Sequence, residues 1–212
     1  METAFAKVYR EWFRTQEVET AARAALSRLD LDTLCPAPSD VFEAYRWARP
    51  EEVTAVVVVP HPYSHRSDAR GIALQSLDRI PHSAAAVLDN LTKFGHMPRE
   101  KREALRMGDF RGWLLQAVLL VHAVPVVCPE PHAAAWRDVT AAMLGMLPRR
   151  SVALLLGDEA RTLASFLPCA HVVSSPSPTS ETFQSVDHFG IVNDRLRSLG
   201  MEPVDWGSND LL

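Results

Sequence analysis

Four short apolar runs organise the chain: Ala55–Val59, Val118–Val121, Val152–Leu156 and His171–Val173. The first is entirely β-branched after Ala55, and such residues suit a pleated surface. Consecutive rather than alternating apolar positions predict strands buried on both faces, as in a parallel sheet. Between and after these runs the period becomes helical. Trp136, Val139 and Met143 are spaced to share one helix face, and Pro148 is expected to stop that helix. Phe189, Val192, Leu196 and Leu199 form another stripe, with Gly200 placed as a left-handed C-terminal cap. Asp158, just after the third run, reads as the N-cap of a helix over Glu159–Leu167. Strands alternating with helices predict a three-layer α/β/α sandwich around a four-stranded parallel sheet. At 212 residues, 47% of them hydrophobic, the chain can bury one core, so a single domain over 1–212 is expected. The strongest turn signals, Cys35–Ser39 and Ser174–Ser180, are short enough to be loops within it.

Open parallel sheets bind ligands beyond the carboxyl ends of their strands. Those ends offer His61, His65, His122, Asp158, Ser175 and Ser177 as candidates, a set rich in imidazole and poor in carboxylate. The net charge of -4 gives no global basic field, so any DNA contact must be local or weak. Cys35, Cys128 and Cys169 show no paired spacing and read as free thiols in a reducing compartment, cytoplasm or nucleus. Met1–Trp12 mixes charged and apolar residues and does not read as a secretion signal. The apolar stretch Leu114–Cys128 is broken by Gln116, His122 and Pro125 and is too short to span a membrane. Trp113 and Trp136 read as core residues, and Pro98–Arg106 as a solvated helix face of mixed charge. His61 and His65 are four apart in a loop rather than paired on a helix, so neither a metal site nor a cofactor is expected.

The strand ends also carry a set of motifs. Val59-Pro-His-Pro-Tyr-Ser64 and Ala69-Arg-Gly-Ile-Ala-Leu-Gln75 resemble, without gaps, a GQDPYH signature and an AHGLCFS stretch. Gly108 to His122 is similar to a GxxxGWxxQGVLLLN segment, Leu154–Asp158 to an LLWGS turn, and Ser175–Ser180, followed by His188-Phe189, to an HPSPLS loop. Pro203-Val-Asp-Trp206 is similar to a terminal PIDW, and Pro36 to Phe42 to an early PPP–VF feature. In this order they resemble the family-1 uracil-DNA glycosylases, from about Trp12 to Trp206.

The resemblance implies a fold that flips a uracil nucleotide out of DNA and cuts its glycosidic bond. It also locates departures. The aspartate that aligns water and stabilises the sugar cation falls on His61. The histidine that donates to the departing uracil oxygen falls on Ser175. The asparagine that reads the base edge falls on His122, the stacking phenylalanine on Leu74, and the leucine wedge on Thr179. Tyr63, which in the family excludes the thymine methyl, is retained. Among the implied DNA contacts Ser177 remains, whereas the serine of the Gly-Ser turn becomes Asp158, whose carboxylate would repel phosphate. The proline-rich DNA-pinching loop, here Ile80-Pro-His-Ser83, looks shorter than the family's. Losing one electrostatic group of this kind typically costs about 10²–10³ in rate.

The expectation is therefore a catalytically inactive relative, binding or scaffolding in DNA replication or repair, with viral accessory subunits as precedent. Expected partners are DNA, bound weakly and without uracil specificity, and a protein, with no membrane. Two alternatives are residual or altered base excision by the substituted residues, and a structural protein unrelated to nucleic acid. The His61 and His122 imidazoles are expected to fill the volume where uracil would sit. Reversion of both His122→Asn and Leu74→Phe, besides positions 61 and 175, would then be needed for excision.

Overall fold

The apolar runs pair as one parallel sheet in the order β2-β1-β3-β4, with β1 at Ala55–Val59, β2 at Val118–His122, β3 at Val152–Leu156 and β4 at His171–Ser175. The computed structural model describes residues 8, 10–13, 16–129 and 132–208. Most of the Met1–Trp12 segment, read above as lacking a secretion signal, lies outside the described residues. Every residue of β1, β2 and β3 is buried, so helices cover both faces of the sheet, giving the expected α/β/α sandwich. β4 departs from the expectation of a fully buried strand: Val172 and Ser174 are exposed and Ser175 alone is buried. It is an edge strand, paired on one side only.

Helices α1 (Gln16–Ser27) and α5 (His132–Leu144) pack on each other. Trp136, Val139 and Met143 are buried along α5, as their spacing requires. The helix ends at Leu144, before Gly145, so Pro148 lies beyond the stop rather than making it. Between these lie α2 (His82–Lys93), α3 (Arg99–Ala104) and α4 (Arg111–Leu114). α3 has no buried residue, the solvated face expected of Pro98–Arg106.

After β3, α6 covers only Asp158–Arg161, and its N-cap is Gly157. Asp158 is therefore not the cap; its side chain is 94% exposed and pairs with Arg161 at 2.9 Å. A carboxylate one residue further in still suits the positive end of a helix. α7 (His188–Ser198) packs on β3 and β4. It closes as the sequence indicates: Gly200 at φ 69 donates to Arg197 O and Met201 to Leu196 O, satisfying otherwise unpaired carbonyls.

The terminal Pro203–Trp206 motif has a structural role. Trp113 and Trp206 meet edge-on at 4.8 Å between ring centroids, and Trp113 Nε1 donates to Trp206 O at 2.9 Å. Trp113 and Trp136 are fully buried, as expected of core residues.

Ala117 enters β2 at φ 59, a left-handed backbone that costs an L-residue about 1–2 kcal/mol. The motif it resembles has glycine there. Ala117→Gly is expected to stabilise the protein by about 1 kcal/mol. A urea midpoint that does not rise would contradict this.

Candidate functional site

The β1 and β2 strands run side by side in register, with Val59 opposite His122, so their last residues share one end of the sheet. The loop after β1 folds back over that end. Ala73 N donates to Leu120 O at 3.2 Å, and Ala123 N and Val124 N return bonds to Val59 O and Pro60 O at 2.8 and 3.1 Å. Gly71 fixes the loop's path: at φ 69 it lies so close to the Asp40 carbonyl oxygen that a Cβ would come within 1.6 Å. No other residue fits there. Asp68 anchors the base of the loop. Its buried carboxylate accepts from the Arg79 guanidinium and from Ser76 Oγ at 2.9 Å. These bonds, Arg79 foremost, hold the carboxyl below its usual range.

The fold-back leaves a cavity of about 220 Å³ bordered by His61, Tyr63, Leu74, Ser83, His122 and Ser177, with Val59, Pro60 and Pro178 as apolar walls. A cavity of roughly 150 Å³ already admits a benzene ring. The expected filling of this volume by His61 and His122 is therefore not found: the imidazoles border the space instead. His61 stands exposed at the mouth, whereas His122 is only 5% exposed.

Burial, with a smaller contribution from His61, pushes the His122 pKa down to about 3, so this ring is neutral at neutral pH. Among the described residues its nitrogens have no hydrogen-bond partner. Tyr63 is held in place: its hydroxyl donates to Leu74 O at 3.1 Å and meets Ser83 Oγ at 3.0 Å. Burial raises its pKa to about 12, so it stays protonated. Leu74 supplies that carbonyl from a left-handed backbone at φ 67, strain of the kind that collects at functional sites.

Of the other candidates Ser177 borders this cavity and the rest fall elsewhere. Ser175 is 1% exposed and is not among the residues bordering the cavity. Its Oγ lies 3.2 Å from His188 Nε2, which also bonds Phe183 O at 2.9 Å. A carbonyl can only accept, so that nitrogen carries the proton. Burial lowers the His188 pKa. Ser177 does reach the cavity, but its hydroxyl is joined to that of the exposed Thr179 at 2.9 Å. His65 is exposed and, like Asp158, does not border the cavity.

Ser83, Asp68 and Arg79 are contributions that sequence reasoning missed. Pro81, extended as the N-cap just before α2, marks a helix start that could have pointed to Ser83. Asp68 and Arg79, separated by a loop, carry no comparable signal. Among the described residues no group of three or more His, Cys, Asp or Glu is placed to hold a metal ion, and no helix is long and apolar enough to cross a membrane.

No family model matches the chain. A uracil-DNA glycosylase of Deinococcus deserti is 31% identical over 190 residues, covering 82% of this chain and 74% of that protein. One from Mycolicibacterium vanbaalenii is also 31% identical, over 81% of this chain and 80% of its own length. A third, from Chromobacterium violaceum, is 28% identical over 97% of this chain and 94% of that one. The crystal structure of mimivirus uracil-DNA glycosylase superposes with a TM-score of 0.76 over 96% of this chain and 88% of that one, at 23% identity, and so supports the fold. With these identities extending over most of both partners' lengths, the chain belongs to the uracil-DNA glycosylase family.

Proposed function

We propose that this chain is a non-excising member of its family, one that receives a base in its pocket and acts in DNA replication or repair by binding. The observation that carries this reading is the cavity's border, which is base-sized and contains no carboxylate. Glycosidic cleavage builds positive charge on the sugar, and a fixed negative group there lowers the barrier. His61 supplies none, and if protonated would oppose it. The group at position 175 is turned into the core on His188 and cannot meet charge developing on a leaving base.

An assay on single- and double-stranded uracil-containing DNA tests the proposal: product is expected only at background. Retention of DNA should be weak and salt-sensitive. Asp158 at the strand end and the exposed Thr179 in the wedge position both favour a loose grip. Preference for a uracil-bearing over a cytosine-bearing duplex should stay below tenfold, about 1.4 kcal/mol.

The open cavity favours one further reading, excision by substituted groups with His61 as general base. Turnover that His61→Ala abolishes would establish it in place of the binding role.

A further inference from the structure

We infer that the cavity receives neutral pyrimidine rings without distinguishing a carbonyl from an amino group on the edge that meets His122. The inference rests on the base-receiving role proposed above and names what that pocket accepts.

Size and charge come first. About 220 Å³ exceeds the roughly 150 Å³ that takes up benzene, so one six-membered ring fits. The interior presents no ionised group, since His122 is neutral and Tyr63 protonated. A buried ion would go uncompensated there, so a neutral ring is favoured over an anion or a cation.

Hydrogen bonding then narrows the class. Tyr63 is committed, its hydrogen to Leu74 O and its oxygen facing Ser83 Oγ. His122 is the buried uncommitted polar group: 5% exposed, bordering the cavity, and without a hydrogen-bond partner among the described residues, whereas His61 stands exposed. Its ring nitrogens are not among the sealed, unpartnered polar atoms, so they face the cavity and are open to a ligand's hydrogen bond.

The chemistry of neutral imidazole decides what it recognises. One ring nitrogen carries hydrogen and the other a lone pair, and the two tautomers interchange these roles. The two nitrogens flank one ring carbon and their bonding directions diverge widely, so one straight edge of a ligand meets only one of them. That nitrogen donates to a carbonyl in one tautomer and accepts from an amine in the other. Among the described residues no bond anchors the far nitrogen to fix the choice, as a backbone carbonyl commonly does for a functional histidine. A site built this way adapts to a keto or an amino group by moving its own proton between nitrogens. A ring with neither group gains nothing from it.

The test uses the full-length chain at pH 7.5 with free uracil and free cytosine as probes. Binding is followed by calorimetry, and the His122 ring by nitrogen-15 NMR. Both bases are expected to bind with dissociation constants within about threefold of each other, and His122→Leu to weaken both about tenfold or more. The spectra should show the cavity-facing nitrogen protonated with uracil and unprotonated with cytosine. Preference for one base by more than tenfold, or the same tautomer with both, overturns the inference and leaves the base-receiving role standing. Failure of both bases to bind at millimolar concentration overturns that role itself.

Discussion

The double variant His61→Asp, Ser175→His is expected to release uracil from single-stranded DNA at least about 10²-fold faster than the parent chain. The reason is the open cavity. Had the imidazoles filled it, His122 would have had to go before any base could enter. With about 220 Å³ free, the deficit proposed for excision would be electrostatic rather than steric. An aspartate at 61 restores negative charge at the mouth, where His61 now stands exposed. A histidine at 175 exchanges a short hydroxyl, bonded inward to His188, for a longer group that must swing out of the core to meet a departing base. Each such group is worth about 10²–10³, and the two need not add. Adding His122→Asn should raise the rate further, because an amide offers a donor and an acceptor side by side. A double variant no faster than the parent, with its fold intact by circular dichroism, would show that something other than charge sets the rate of excision.

Stability should fall steeply in mild acid, and His122 should account for much of it. Its pKa is about 3 in the folded protein, against about 6.5 in an unfolded chain. A depressed value means the unfolded state takes up the proton first. The contribution is therefore complete above about pH 7 and lost as the pH falls between those two values. The slope approaches about 1.4 kcal/mol per pH unit, or about 2 kcal/mol between pH 7 and pH 5. His188, also lowered by burial, adds in the same direction. Chemical denaturation at both pH values, for the parent and for His122→Asn, isolates the effect. The parent should lose about 2 kcal/mol more than the variant on acidification, and parallel losses would rule out His122 as the source.

The architecture was legible because burial on both faces forces unbroken apolar runs, and β1, β2 and β3 obey that rule throughout. β4 misled because Val172-Val173 reads as buried, yet an edge strand has solvent on one side and tolerates Ser174 and Ser175. The motifs located His61, Tyr63, Leu74 and His122 around one cavity, since strand ends and register fix where those residues emerge. They did not reveal side-chain direction. Ser175 turns inward because His188, thirteen residues away, offers it a buried partner. Asp158 missed its cap because Gly157 already occupies that position. Whether two imidazoles close a space or border it depends on the path of a sixteen-residue loop from Pro60 to Gln75, and hydrophobic periodicity says nothing about that path.

The Asp68–Arg79 clamp has a consequence for how anything enters. It ties the outgoing loop to the segment before α2, while Gly71 is wedged against Asp40 and Tyr63 against Leu74. The wall that would touch a ligand is thus ordered before the ligand arrives. Little protein disorder remains to be lost on association. Recognition would then resemble a rigid receptor's, with its entropy cost falling mainly on the incoming nucleotide as it leaves its stack. Selectivity would arise from how readily a given base swings out, least costly for a mismatched or unpaired one, rather than from the protein reshaping itself around it.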